Sequence, residues 1–296
     1  MRPSARAEVF PCPACDGSGP EVFRKRGFAI AECERCATRF VPRGRAPAMR
    51  YDEGYFAGDA EGGGYGSYLE DRELVLANFE RRVRWFAPLA SGRRLLDVGA
   101  AYGFLLAAAR CHGFEGVGVE PVAGCARFAR AELDVDVRTA TIEAVDLPAG
   151  SFDVATMLDV IEHLDDPRAA LRRVHELLRP GGLLVVETGD RDALLARVSG
   201  PRWYFYDPPQ HVTFFSRRSL VALLARAGFG EPVASAQLGR AVSVRNFAHQ
   251  LGRALGSGPA GAASRALARS PLGRMRFLVP DRGNAFAVAV RRVGPA

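Results

Sequence analysis

The feature of this chain that most restricts its fold is the alternation of short apolar runs with longer helical runs between residues 94 and 189. "RRLLDV", "GVGVEP" and "SFDVATMLDV" have the composition of buried strands, and the segments between the strands place apolar residues at helical spacing. Strands that alternate with helices form a parallel sheet with helices on both faces. The sequence therefore predicts a doubly wound α/β fold with a mostly parallel sheet.

The end of the first predicted strand carries a distinctive turn, "LLDVGAAYGFLL" at residues 95–106. Gly99 and Gly103 allow the backbone to turn tightly and to approach a ligand, and ligands of such sheets bind at this edge. Asp97 argues against a dinucleotide, because a carboxylate would repel the pyrophosphate and a third glycine is missing. Glu120 ends the second strand, where a carboxylate can bridge the two ribose hydroxyls. Together the two acids predict a nucleoside with a positively charged group, as in S-adenosylmethionine.

The ordered set of motifs resembles the class I S-adenosylmethionine-dependent methyltransferases. "LDVGAAYG" resembles motif I of that family, "GVGVEP" its acidic second strand, "SFDVATMLDVIEHLDDP" its fourth strand and "LLRPGGLLVVET" its fifth. The resemblance covers residues 12 to about 230 and implies a Rossmann-like sheet of seven strands and methyl transfer from S-adenosylmethionine. Ala101 stands where the family usually has the middle glycine of motif I, which adds one methyl group beside the ligand.

The resemblance assigns the cofactor to positions that each follow a strand. The first turn is expected to hold the methionine end, the acid of the second strand the ribose, and residues after the third strand the adenine. Taken singly, each glycine fits an ordinary turn and each acid a solvated strand end, so the ordered set carries the prediction. The expected cofactor-binding residues are Asp97, Gly99, Ala101, Gly103, Glu120, Thr141, Ile142, Leu158 and Asp159.

Two histidines are candidates for the general base that a hydroxyl acceptor would need. His163 follows the fourth strand in "DVIEHL", and it fits a structural histidine that caps this turn equally well. His211 lies in "DPPQHVTFF", and Asp159 completes the predicted catalytic set. Asp159, Glu162 and His163 also resemble the acid-and-histidine set with which some ubiquinone-type O-methyltransferases bind a divalent ion.

An aromatic and proline-rich segment, "GPRWYFYDPPQHVTFFS", follows the fifth strand. Loops at this position can cover an acceptor site. Trp203, Tyr204, Tyr206 and His211 are therefore candidate substrate contacts, and the alternative is that the aromatic side chains pack on the edge of the sheet.

Four cysteines near the N-terminus form the pairs "CPAC" and "CERC". Two thiolates from each tight turn complete a tetrahedral zinc site, and four thiolates leave no open position, so the ion would stabilise a small zinc ribbon without doing chemistry. Four free thiols or a redox pair are the alternatives. The predicted zinc ligands are Cys12, Cys15, Cys33 and Cys36.

Two other classes of function compete with a methyltransferase. A zinc ribbon that binds nucleic acid could use Arg24, Lys25 and Arg26, but the ribbon also carries Glu21 and Glu32, which argue against such a partner. A nicotinamide dehydrogenase is disfavoured by the carboxylate in the first turn and by the missing third glycine.

The segment 240–280 has a distinctive charge distribution. No Asp or Glu occurs between Glu231 and Asp281, whereas seven arginines do, and these equal the net charge of +7. Two amphipathic helical runs lie there, before the predicted last strand "NAFAVAVRRV". We expect either a lid on the catalytic domain or attachment to an anionic surface, which could be membrane lipid or a diphosphate-linked glycan.

The predicted domains are a zinc ribbon at 1–45, a Gly- and Tyr-rich connector at 46–68 and a methyltransferase domain at 69–296. Tyr65 and Tyr68 could close over the cofactor. No stretch approaches the ~18 apolar residues of a membrane span, so we expect a cytoplasmic protein, with peripheral membrane contact through 240–280. The ribbon, "YDEGYF" and "PPQHVTFFS" are similar to a bacterial methyltransferase subgroup often encoded beside glycan-synthesis genes, which implies a small-molecule, sugar or glycan hydroxyl as acceptor. The oligomeric state stays open.

Overall fold

The computed structural model describes residues 8–44, 69, 71–255, 258–279 and 285–294. Most of the predicted connector, including Tyr65 and Tyr68, lies outside these ranges, and so do parts of the segment 240–280.

A central sheet of seven strands organises the chain, in the order β11-β14-β9-β8-β5-β6-β7. Neighbouring strands from β9 to β7 pair in parallel, and β14 runs antiparallel between β9 and β11. This arrangement confirms the predicted doubly wound, mostly parallel fold. The strands are β5 (Arg94–Val98), β6 (Glu115–Glu120), β7 (Asp136–Thr139), β8 (Phe152–Leu158), β9 (Leu178–Gly189), β11 (Ala234–Ala236) and β14 (Ala285–Arg291).

Helices cover both faces of this sheet, so alternate side chains of a strand enter two different cores. Leu96 and Ala155 belong to one buried cluster, and their neighbours Leu95 and Val154 belong to the other. Strands that are buried on both faces read as continuous apolar runs, which is why they were recognisable in the sequence. The helices are α1 (Arg72–Phe86), α2 (Phe104–Arg110), α3 (Ala123–Glu132), α4 (Pro167–Leu177), α5 (Leu194–Ser199), α6 (Arg217–Arg226), α7 (Val244–Leu255) and α8 (Pro259–Arg269).

The start of α4 shows how local sequence fixes a helix boundary. Asp166 accepts a hydrogen bond of 3.0 Å from the backbone N–H of Ala169, and Pro167 occupies the first helical position. Asp166 thus satisfies one of the free N–H groups at the start of the helix, and Pro167 has no N–H there that would need a partner.

The N-terminal residues form a second sheet from β1 (Val9–Pro11), β2 (Ser18–Lys25), β3 (Phe28–Glu32) and β4 (Arg39–Phe40). A fifth strand, β10 (Thr213–Phe214), comes from the loop after β9 and pairs with β4. No local sequence pattern indicates this pairing, because the two strands are far apart in the chain. The N-terminal sheet is consequently joined to the catalytic domain by backbone hydrogen bonds.

Residues 240–255 and 258–279 form a two-stranded sheet with two helices, which we call the cap. Its strands β12 (Arg240–Ser243) and β13 (Arg276–Val279) pair antiparallel, and α7 and α8 lie between these strands in the sequence. The cap is fastened to α1, because the Asn78 side chain donates to the Ala241 carbonyl and accepts from the Ala241 N–H, at 2.9 and 2.8 Å. A salt bridge of 2.8 Å joins Arg276 to Glu73. Among the described helices, none has both the length and the apolar character that a membrane crossing requires.

Candidate active site

A cavity of about 520 Å³ opens at the carboxyl ends of β5, β6 and β8 and is bounded on one side by the cap. Its volume is typical of sites for small molecules. From the cap, Arg240, Ala241, Val242 and Asn246 line it. The structure places eight of the nine predicted cofactor residues on its wall, namely Asp97, Gly99, Ala101, Glu120, Thr141, Ile142, Leu158 and Asp159.

The turn after β5 depends on residues with positive φ. Gly99 has φ of 71°, and a Cβ atom there would lie 2.5 Å from Cγ2 of Val160, so only glycine fits. Ala101 also has positive φ, at 46°, which its small side chain permits at some conformational cost.

Gly103 differs from the prediction, because it does not line the cavity. It precedes α2 with φ of 77°, and a Cβ atom there would lie 2.8 Å from Val135 and 2.9 Å from Ala129. Glycine at this position therefore allows α2 to pack closely on its neighbours.

Two buried carboxylates form the negative part of the cavity. Asp97 accepts a hydrogen bond of 2.7 Å from Oγ1 of Thr156, and burial, reinforced by the charge of Glu120, raises its pKa to about 7. Glu120 accepts from the backbone N–H groups of Ala101 and Val122, at 2.9 Å each, while burial raises its pKa. Neither acid forms an ion pair with a basic side chain in the part of the chain that the structure describes. The cavity thus suits a ligand that brings its own positive charge.

A charged network that sequence analysis missed lies between α1, β9 and the cap. Arg82 binds Glu187 through two hydrogen bonds of 2.8 and 2.5 Å, and both side chains are almost fully buried. Arg240 binds Asp159 at 2.6 Å and lies 3.5 Å from Glu187. A usable signal was present, since Arg82 falls on the same helical stripe as Phe79 and Phe86, where an apolar residue would be expected.

A pair of histidines lies beside the cavity. His163 lines the cavity and donates from Nδ1 to the carbonyl of Gln210 at 2.9 Å, and His211 donates from Nδ1 to that of Phe205 at 2.8 Å. The two rings lie edge to face, with their centroids 4.7 Å apart. Burial lowers both pKa values, that of His163 to about 3 with help from the neighbouring His211. Both imidazoles are therefore neutral at pH 7.

The predicted trio of Asp159, Glu162 and His163 is not assembled, because Asp159 pairs with Arg240. Glu162, His163 and His211 come together instead, with one potential ligand atom from each within 4.8 Å of the others. Glu162 is fully buried, and its Oε2 accepts a hydrogen bond of 2.9 Å from Thr188. Its Oε1 is buried without a hydrogen-bond partner among the described residues. Burial and the charge of Asp159 raise the pKa of Glu162 to about 8.

The predicted aromatic substrate contacts occupy other positions. Trp203 and Tyr206 are buried in a third core, where they pack with Ile30 and Phe214 between the N-terminal sheet and the loop after β9. Tyr204 lies on the surface, and none of the three lines the cavity. These side chains are buried there because the N-terminal sheet has an apolar face, and the aromatic segment packs against it.

The four N-terminal cysteines form a compact cluster. The Sγ atoms of Cys12 and Cys36 lie 3.7 Å apart, and those of Cys15 lie 3.5 Å from Cys33 and 3.4 Å from Cys36. These separations are too long for disulfides, in which the sulfurs lie about 2.05 Å apart. They approach the ~3.8 Å edge of a tetrahedron with metal–sulfur bonds of about 2.3 Å.

Comparison with known proteins identifies the family. A model described as a methyltransferase domain matches residues 68–230, more than half of the chain. A ubiquinone biosynthesis O-methyltransferase of Ruegeria pomeroyi is 34% identical over 170 residues, which are 54% of this chain and 68% of that protein.

Two solved structures share the fold. A SAM-dependent methyltransferase of Thermotoga maritima, described as a possible histamine N-methyltransferase, gives a TM-score of 0.51 at 21% identity and covers 77% of this chain and 94% of its own. The 1,6-didemethyltoxoflavin-N1-methyltransferase of Burkholderia thailandensis gives 0.50 at 19% identity and covers 92% and 99%. Sheet order, cavity and family match together show that the chain belongs to the methyltransferase domain family and is a class I S-adenosylmethionine-dependent methyltransferase.

Proposed function

We propose that the protein transfers a methyl group from S-adenosylmethionine to a hydroxyl group of a small molecule. The observation that carries this proposal is the pair of buried acids beside the Gly99 turn, Asp97 and Glu120, which lack a basic partner among the described residues. When bound, the cofactor supplies a methyl group on a positively charged sulfur. The relatives named as ubiquinone biosynthesis O-methyltransferases support oxygen as the acceptor atom.

The predicted binding residues fit the cofactor by their chemistry. Asp97 can pair with the ammonium of the methionine end, and Glu120 can accept hydrogen bonds from ribose hydroxyls with lone pairs that its two backbone donors do not use. Thr141 and Ile142, on the cavity wall after β7, are suited to the adenine. Ala101 adds its methyl group beside this ligand, and the backbone accommodates it.

The acceptor would occupy the end of the cavity near Asp159, His163 and His211. A methyl transfer needs no covalent intermediate, so most of the acceleration comes from aligning the reactants in a site closed to water. His163, with a pKa of about 3, is a weak base at neutral pH, and Asp159 is neutralised by Arg240. These residues are therefore assigned to positioning the acceptor oxygen. On transfer the methyl–sulfur bond would break as the oxygen–methyl bond forms, S-adenosylhomocysteine would leave, and the hydroxyl proton would pass to solvent.

Calorimetry with S-adenosylmethionine, S-adenosylhomocysteine and NAD tests the cofactor assignment. We expect both adenosyl compounds to bind and NAD not to bind. Transfer of labelled methyl groups into phenols, sugar nucleotides and lipid-linked glycans then identifies the acceptor class. Lack of binding by both adenosyl compounds would contradict the proposal, and transfer only to glycans would restrict the acceptor to sugars.

The N-terminal cysteine cluster is proposed to bind a structural zinc ion through Cys12, Cys15, Cys33 and Cys36. The sulfur separations support this assignment, as do the small size of the sheet and the four-thiolate donor set. We accordingly propose a zinc ribbon at 1–45, a connector at 46–68 and a methyltransferase domain at 69–296 that includes the cap.

The outer surface of the cap is proposed to contact anionic membranes. Phe247, Leu272 and Met275 are each more than half exposed, and the rings of Phe247 and Phe277 lie 5.6 Å apart. Apolar side chains in an acid-free, arginine-rich segment suit an anionic lipid surface.

Sedimentation with vesicles tests this surface. We expect binding to phosphatidylglycerol vesicles that falls at high salt and is lost in the double variant Phe247→Ser, Met275→Ser. The matched control, Leu194→Ser with Val198→Ser, removes two exposed apolar side chains elsewhere and should still bind. Equal binding by both double variants would contradict the proposal.

A further inference from the structure

Beside the acceptor end of the cavity lie a carboxyl group and two imidazoles that the proposed methyl transfer does not fully explain. One potential ligand atom each from Glu162, His163 and His211 lies within 4.8 Å of the other two. Glu162 and His163 belong to the turn after β8, whereas His211 comes from the loop that pairs with the N-terminal sheet. Two separate parts of the fold thus converge on one point.

The two rings are held in the same tautomeric arrangement. In each ring the Nδ1 atom is hydrogen-bonded to a backbone carbonyl, that of Gln210 for His163 and that of Phe205 for His211. This contact fixes the orientation of the ring and assigns Nε2 as the nitrogen that coordinates. Histidines that bind metals almost always have such a partner on their other nitrogen.

The carboxylate provides an independent observation. Glu162 is fully buried, and Thr188 satisfies only one of its oxygens, while Oε1 has no hydrogen-bond partner among the described residues. A buried carboxyl oxygen without a hydrogen-bond partner is unfavourable, and a bound cation would supply the missing partner. Asp159 is not part of this cluster, because it forms a salt bridge of 2.6 Å with Arg240.

We propose that Glu162, His163 and His211 bind a divalent transition-metal ion beside the acceptor end of the cavity. Two imidazole nitrogens and one carboxylate oxygen suit zinc or another first-row transition ion better than magnesium or calcium, which prefer oxygen ligands. Three protein ligands leave coordination positions open. His163 lines the cavity, so the ion would add positive charge at its wall, where an acceptor oxygen could approach. The role of the ion beside the acceptor rests on the proposed function, whereas the assignment of its three ligands is independent of that function.

The test measures metal binding in the absence of cofactor and acceptor. The full-length protein is purified with its cysteine cluster loaded with zinc and is titrated with Co²⁺, whose visible absorption distinguishes nitrogen and oxygen ligands from thiolates. We expect one equivalent of Co²⁺ to bind in addition to the zinc. Glu162→Gln and His211→Ala should each weaken this binding by at least about 100-fold, because even changes to the partners of ligands cost about 10–100-fold.

Two control variants make the ligand set specific. Asp159→Asn should retain Co²⁺ binding, because Asp159 is paired with Arg240 and is not a proposed ligand. His112→Gln removes a histidine that pairs with Glu80, away from the cavity, and should also bind normally. Thermal unfolding and far-ultraviolet circular dichroism show whether each variant is folded.

Three outcomes would overturn the proposal: no additional Co²⁺ in the folded wild type, unchanged binding in His211→Ala, or loss of binding in folded Asp159→Asn. The last outcome would indicate a site built from Asp159, Glu162 and His163. Because binding is measured without cofactor, a protein that binds Co²⁺ but not S-adenosylmethionine would contradict the proposed function and leave the metal site standing.

Discussion

Cofactor affinity should depend on pH through Asp97. Burial raises the pKa of this carboxyl to about 7 in the ligand-free protein, and binding of an ammonium group requires the ionised form. With that pKa, about one tenth of the molecules carry the carboxylate at pH 6 and about three quarters at pH 7.5. The affinity for S-adenosylhomocysteine should therefore be about eightfold lower at pH 6 than at pH 7.5, a range that lies below the pKa of about 8 typical of an α-amino group.

Calorimetry at several pH values tests this prediction against Asp97→Asn, which keeps the shape of the side chain and an oxygen that can accept from Thr156. The variant should bind more weakly and without dependence on pH between 6 and 7.5. A flat profile in the wild type would refute the reasoning. The same slope in both proteins would assign the titration to another group, of which Glu120 is the first to examine, since burial raises its pKa too.

The same carboxyl should make the ligand-free protein less stable as pH rises. Its pKa in the folded chain, about 7, lies above the ordinary value of 3.8, so folding favours the protonated form. The effect is absent below pH 3.8, grows as pH rises and is complete above pH 7, where it amounts to about 4 kcal/mol. Asp97→Asn should therefore raise the free energy of unfolding at pH 8 more than at pH 5.

Three further predictions concern single side chains. Arg82→Met should lower the free energy of unfolding by about 3–5 kcal/mol in urea, because it leaves the buried Glu187 with only the longer contact to Arg240, and a loss under about 1 kcal/mol would contradict this. Gly99→Ala should weaken S-adenosylmethionine binding about tenfold or more, since its Cβ would clash with Val160, whereas Gly113→Ala, with a similar φ and nothing near its Cβ, should bind normally. Cys33→Ala should abolish one equivalent of bound zinc and make the N-terminal sheet sensitive to protease, and full zinc content in this variant would exclude the four-cysteine site.

Local sequence patterns predicted much of the fold and the cofactor half of the cavity. The strands and the turn at Gly99 are specified by neighbouring residues, and parallel strands bring their ends to one edge whatever the rest of the chain does. Gly103 is assigned to the ligand because its spacing fits the motif, and the structure adds a packing reason for this glycine, its closeness to Ala129 and Val135.

The acceptor half depends on contacts between distant segments. Arg240 and Asp159 are 81 residues apart, and His211 reaches His163 through a loop that is hydrogen-bonded both to the N-terminal sheet and to Glu162. No periodicity or short motif specifies such pairings. The buried aromatic residues Trp203 and Tyr206 were misassigned for the same reason, since their partner is the N-terminal sheet and not a substrate.

The backbone hydrogen bonds around Val212 have a consequence for how the molecule can be divided. Val212 accepts from the N–H of Val41 and donates its own N–H to the carbonyl of Glu162, at 2.8 Å each, so one residue ties the N-terminal sheet to the turn that carries His163. Removing the first 45 residues would uncover the edge of β10 and the aromatic surface around Trp203, an exposed strand edge of the kind that promotes aggregation. The catalytic half is thus unsuited to expression as a fragment. A structural change in the N-terminal sheet would also shift the turn that carries His163, because Val212 is bonded to both.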